Sequence, residues 1–333
     1  MDLMDFTQII PRIRVYETKL LDKAKIDRMI DSSSSKEALK VLQETEYANV
    51  MNNVKRAEDY EIILSSELKR VYALLYSIIP EKKLIDIMSL KYDYHNAKVF
   101  IKGKILKKDF SHMIIPIGIE DPVKLKYAID NEYFRDLNPI IREAIEVSLE
   151  DFISNKDPQR IDVIIDKYMF DAVSEISKEI KDDFLEKYIK SLIDLTNLKT
   201  LLRVKKQNKG RDFLEEVIID GGSIDKDVLR GLLTDSVENI VSKLSHTDYA
   251  EMLREGIEEF TKTNSASLLE KLVDNYIMKL MKEAKFIPFG PEPVLAYVYA
   301  KETEIKVVRI IMVGKLNNIA SEVIKERLRD IYV

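Results

Sequence analysis

The chain has 333 residues, 58 acids against 53 bases for a formal net charge of −5, 46% hydrophobic residues and no cysteine. Those values exclude a disordered chain, a disulfide or thiolate-metal scaffold, and a surface with bulk attraction for nucleic acid. No window of eighteen apolar residues occurs, and the opening MDLMDFTQII carries acids where a secretory signal needs bases, so neither a direct membrane span nor a leader is expected. Gly and Pro number only nine each, which favours helix over strand and predicts an all-α chain long enough for two or three domains.

Helical periodicity begins at Arg12 and runs to Asp31, where four serines end it. Ser34, Ser35, Lys36 and Glu37 form a capping box that restarts a helix. Two helices follow, Asp59 to Ile79 and Lys82 to Ile101, divided by Pro80. Asp109 to Gly118 reads as irregular, and helices resume after Pro122, Pro139 and Pro158. Breaks fall at Gly210 and Gly221-Gly222, then come Ile224 to Leu233, Ser236 to Leu244, Asp248 to Phe260 and Ser265 to Ala284. After the rigid turn FIPFGPEP, a helix of about twenty residues is predicted to start near Pro293 and stop near Gly314. Only Lys306 and Arg309 interrupt the apolar run from Ile305 to Val313, so this helix must be covered almost all round. Glu302, Lys306 and Arg309 share one face of it. A last amphipathic helix spans Ile319 to Tyr332.

Three features recur in a fixed order. An acid-tyrosine turn appears as Thr45-Glu46-Tyr47, Asn131-Glu132-Tyr133 and Thr247-Asp248-Tyr249. Phe152, Asp166 and Tyr168 return as Phe260, Asp274 and Tyr276. Asp93, Asn96, Lys98, Ile101 and Lys102 return as Asp194, Asn197, Lys199, Leu202 and Arg203, and the FIPFGPEP helix offers Glu304 and Lys306 at the matching places but Lys301 where the acid stood. A threefold repeat of about 100 residues follows, with lobes 1–112, 113–219 and 220–333; that period is too long for a short solenoid repeat. Both links follow a basic exit from a helix, Lys102, Lys104, Lys107 and Lys108, then Lys205, Lys206, Lys209 and Arg211. These cations either complement helix C-termini or meet an acidic partner.

Catalytic chemistry is hard to find. The three histidines, His95, His112 and His246, form no pair at metal-ligand spacing, and no Gly-x-Ser-x-Gly elbow is present. Val313-Gly314-Lys315 is no phosphate loop, since Arg309 and Leu316 stand where Gly and Ser or Thr are needed. The rival reading is an all-α, magnesium-dependent diphosphate enzyme of isoprenoid-synthase type, with Asp182, Asp183 and Glu186 on one helix face; Lys181 and Lys187 flank the cluster, and a solvated, ion-paired face is the alternative. No catalytic, cofactor-binding or metal residue is assigned.

The run Gly290-Pro291-Glu292-Pro293-Val294, then Ala296-Tyr297, Ala300-Lys301-Glu302, Arg309-Ile310-Ile311 and Val313-Gly314-Lys315-Leu316-Asn317 resembles the C-terminal signature of the C-subunit family of V-type and A-type ATPases, whose eukaryotic members are the d subunits. The signature covers about a tenth of the chain. The resemblance implies three helical lobes around a central cavity, forming a non-catalytic socket without cofactors at the cytoplasmic face of the membrane. It also implies central stalk subunits of D and F type and a membrane proteolipid rotor ring as partners, for ATP-linked proton or sodium transport. The chain departs from the family at its start, where Ile10-Pro11-Arg12-Ile13-Arg14 replaces an Asn-Ala-Arg run and only Glu17, Leu20 and Leu21 match.

Overall fold

The computed structural model describes residues 6–51, 54, 56–263 and 265–333, and among them it holds sixteen α-helices and no strand. The all-α expectation is met. The acidic opening, residues 1–5, lies outside the described residues. The chain divides into two compact units, one made of residues up to Glu81 together with Val237–Val333, the other of Lys82–Ser236.

The first unit contains α1 (Ile9–Glu17), α2 (Lys23–Asp31), α3 (Ser35–Leu42), α4 (Tyr60–Ile78), α12 (Val237–Lys243), α13 (Ala250–Thr263), α14 (Ser267–Glu283), α15 (Glu292–Leu316) and α16 (Ser321–Arg327). Its axis is α15, the helix after FIPFGPEP, against which α1, α2, α3, α4, α14 and α16 all pack. Burial on all sides follows from composition: Val294, Leu295, Ile305, Val307, Val308, Ile311 and Met312 are all enclosed. The three charges expected to share a face, Glu302, Lys306 and Arg309, take partners on other helices. Glu302 accepts from the Tyr72 hydroxyl and Arg309 binds Glu61, both on α4, while Lys306 binds Asp274 on α14. The helix stops at Leu316, two residues past Gly314, where a Cβ would come within 2.5 Å of Ile324 on α16. In the turn before α15, by contrast, Phe286 is 87% exposed.

Two sequence expectations change here. The segment Arg12 to Asp31 is two helices, because residues 18–22 leave helical geometry and Asp22 caps α2 by accepting the Lys25 N–H at 2.8 Å. The last helix is short, and the tail from Leu328 is extended. Tyr332 on that tail is buried and donates to Glu17 at 2.9 Å.

The second unit contains α5 (Lys83–Leu106), α6 (Pro122–Asn131), α7 (Pro139–Asn155), α8 (Pro158–Ile180), α9 (Asp183–Lys206), α10 (Arg211–Val217) and α11 (Lys226–Leu232). The three proline starts are each capped by the preceding residue: Asp121, Asn138 and Asp157 accept the N–H groups of Val123, Ile140 and Gln159. Helix α8 packs on α5 and α9 and pairs with α5 through Lys98–Asp166 and Lys102–Asp162. Helices α5, α6, α7 and α8 end on Lys107, Glu132, Lys156 and Lys181, all left-handed with φ between 51 and 57°.

The acid-tyrosine turns are alike only in the outer copies. Thr45 and Thr247 hydroxyls each donate to the leucine carbonyl three residues back, and Tyr47 and Tyr249 are buried; in the middle copy Glu132 is a left-handed cap and Tyr133 is exposed.

Gly314→Val should lower stability by about 1–3 kcal/mol by driving α16 away. Gly231→Ala, at a half-buried position on α11 where an added Cβ would meet nothing within 4 Å, should raise it by about 0.5–1 kcal/mol. Urea midpoints at unchanged slope check both.

Candidate functional site

The polar chemistry buried in the long helices is the repeated set. On α5, the Asp93 carboxylate accepts the N–H groups of Ile119 and Glu120 at 2.8 and 3.1 Å, while the Asn96 amide donates to the Ile115 carbonyl and accepts its N–H, both at 2.9 Å. On α9, Asp194 accepts from Ser223 and Ile224 at 3.0 Å each, and Asn197 makes the same two-way pair with Ile219 at 2.8 and 2.9 Å. Each helix thus grips an irregular loop by its backbone, satisfying amides that no helix or sheet serves. The grip needs glycine. A Cβ on Gly118 would lie 1.8 Å from Asp93, and one on Gly222 would lie 2.2 Å from Asp194.

The basic exits complete each clamp. Lys104 donates to the Ile129 carbonyl at the end of α6 and to Glu132 at 2.7 Å, and Lys205 donates to the Leu233 and Asp235 carbonyls after α11 at 2.5 and 2.6 Å. These two lysines therefore complement helix C-termini, but those of a helix further along the chain, α6 for Lys104 and α11 for Lys205, rather than their own.

The third copy lies in the first unit and is charged. Glu304 on α15 stands where the asparagines stand, and one of its oxygens accepts the Leu21 N–H at 2.5 Å. This contact draws residue 21 out of the helix expected there. The other oxygen accepts from Tyr47 at 2.9 Å and from Lys301 at 2.7 Å. Lys301, 2% exposed, also reaches Glu67 at 3.3 Å and lies 5.2 Å above the Tyr47 ring. Glu67, fully buried on α4, is forked by Arg70 with two bonds of 2.8 Å. Burial opposes the Lys301 ammonium, but Glu304 and Glu67 outweigh it and raise its pKa. Burial, then Glu304 and Glu67, push the Tyr47 phenol well up, so it remains a donor. Lys315 closes the copy by donating to the Ser32 carbonyl at the end of α2, 2.8 Å away.

Sequence reasoning identified Asp93, Asn96, Asp194, Asn197, Lys301 and Glu304 but missed what they hold. The loops themselves repeat, Ile114-Ile115 with Gly118 and Asp121 matching Ile218-Ile219 with Gly222 and Asp225. Glu67 and Arg70 carry no signal beyond helical spacing, and the acid-tyrosine turn marks Tyr47 without naming the charges it meets.

The diphosphate-enzyme reading fails on local geometry. Asp182 is the N-cap of α9, accepting the Leu185 N–H at 2.8 Å, and burial and Asp183 raise its pKa. Glu186 is paired with Lys190 at 2.5 Å. Among the described residues no group of three acids or histidines could hold a metal. In a groove of about 930 Å³ between the ends of α14, α15 and α16, three of the lining cations are engaged: Lys271 on the Glu326 carbonyl, Arg309 on Glu61, Arg329 on Asp274. His95 meets the Met113 carbonyl at 2.9 Å.

A family model described as ATP synthase (C/AC39) subunit matches residues 9–327. The C subunit of the V-type sodium ATPase of Enterococcus hirae is 30% identical over 329 residues, 99% of each chain. The C subunit of the A-type ATP synthase of Methanocaldococcus jannaschii is 29% identical over 349 residues, 98% of this chain and 87% of the relative. That of Thermococcus kodakarensis is 27% identical over 325 residues, 95% and 88%.

Lys301→Met leaves the buried Glu304 carboxylate without its cation, while Glu67 keeps Arg70, and should cost about 3–5 kcal/mol, measured by urea unfolding. Asp93 gives a pH dependence: burial lifts its carboxyl from 3.8 to about 7, against the two N–H groups that hold it down. The folded state then keeps a proton that the unfolded chain has lost, so this group's contribution is full below about pH 4 and disappears as pH rises through 7. Stability should fall across that interval, by up to about 4 kcal/mol from this group, and Asp93→Asn should remove that component of the slope.

Proposed function

Since the chain belongs to the ATP synthase (C/AC39) subunit family, we propose that it is the socket of a rotary V- or A-type ATPase, a non-catalytic component that couples the central stalk to the membrane rotor ring. Its partners in this reading are stalk subunits of D and F type on one side and the proteolipid ring on the other. It sits peripherally on the cytoplasmic face; no described helix is long and apolar enough to cross a membrane. The coupled ion is a proton or sodium.

The observation that carries the reading is the clamp in three copies. We propose lobes 1–112, 113–219 and 220–333 around a central cavity, each containing one long buried helix, α5, α9 or α15. In this arrangement each helix holds the stretch that opens the following lobe: α5 holds 115–120, α9 holds 219–224, and α15 holds Leu21. A part that transmits torque needs stiff elements and locked joints more than a reactive group, and buried, hydrogen-bonded backbone supplies such joints.

Omission from a reconstituted complex is the test. In proteoliposomes containing every other subunit, ATP hydrolysis by the catalytic head should continue while ion transport is lost, and adding this chain should restore transport. Transport at full rate without the chain, or failure of the purified chain to bind both stalk and ring, would overturn the reading.

A further inference from the structure

We propose that the N-terminal segment as far as Asp31 is a latch, the joint at which this fold opens before the rest unfolds. In the first two clamps the gripped loop follows its helix along the chain, Ile115 soon after α5 and Ile219 soon after α9. A loop on so short a tether returns quickly after letting go, because its effective concentration at the helix stays high. The third clamp has no such tether. Leu21 and Glu304 stand 283 residues apart along the chain.

That joint rests on non-covalent contacts alone. Leu21 binds Glu304, Lys315 and Ser321 bind the Ser32 and Ile30 carbonyls at 2.8 and 2.9 Å, and Lys325 pairs with Asp31 at 3.2 Å. Arg14 donates to the Ala284 and Ile287 carbonyls at 2.8 Å, and Tyr332 donates to Glu17. Beneath them Ile9, Ile10, Ile13, Leu20 and Leu21 are buried. Release frees a whole arm, whereas release of either other loop frees only a few residues, so the entropy gained on opening is largest here. The charged chemistry is the counterpart of the missing tether: a carboxylate on a backbone N–H, backed by a buried ammonium, binds more strongly than an amide in the same place. The latch is a property of the chain by itself and stands or falls apart from the socket reading.

Native-state hydrogen exchange on the full chain tests it. The amides of Leu21 to Ile30 should exchange about tenfold or more faster than those of Ile115 and Ile219, through an opening below the global one. A circular permutant that joins Val333 to Met1 by a Gly/Ser linker, with new ends at Gly210, should reverse the order, protecting Leu21 and exposing Ile219. Equal rates at the three clamps in the natural chain, or a permutant in which Leu21 stays fastest, would overturn the latch. Should the permutant not fold, Glu304→Gln in the natural order decides: exchange about tenfold faster at Leu21 alone supports the latch, and an equal rise at Ile115 and Ile219 removes it.

Discussion

The structure depends on a helix side chain that takes hold of another segment's backbone. Irregular peptide has donors and acceptors that must be satisfied when buried, and here the satisfying groups sit at fixed places on the three most enclosed helices. Everything near them adapts to that requirement. Glycines stand where a carboxylate needs to approach, and lysines two to three turns on collect carbonyls at the end of a helix further along the chain. The third copy keeps the role and changes the chemistry: the amide becomes a carboxylate, the aspartate becomes a lysine, and Tyr47, Glu67 and Arg70 gather round the new charges.

Much of the fold was legible in the chain. Periodicity, the proline starts and the low glycine content gave the helices, and the recurrence of Asp93 and Asn96 as Asp194 and Asn197 marked the residues that matter. What could not be read is what tertiary contact decides. Residues 12–31 carry good helical spacing, yet Glu304, far along the chain, removes Leu21 from the helix. Gly314 looks like a terminator by propensity and is a point of close approach to Ile324. The charges of α15 share a face as expected, but their partners lie on α4 and α14, so spacing along one helix could not name them. At Asp182, a capping geometry invisible in composition separates a helix start from a metal site.

These features bear on function through mechanics rather than reactivity. The titratable groups of the clamps are engaged with backbone or with each other, so they hold shape and offer no vacant acid, base or nucleophile to a substrate. Membership in a family of ATPase subunits and a repeated device for locking helices to loops point the same way. The joint whose halves lie far apart in the chain is the one where a buried ammonium backs the gripping carboxylate.

The left-handed ends of α5 to α8 lead somewhere else. Lys107, Glu132, Lys156 and Lys181 hold a backbone shape that glycine adopts freely and that costs other residues about 1 kcal/mol or more each. Four helices therefore finish at less than their attainable firmness, and none of the four finishing residues is itself a gripping carboxylate or amide. A hardier version of the protein, suited to long purification, is within reach by editing Lys107, Lys156 and Lys181 alone, leaving Glu132 to Lys104.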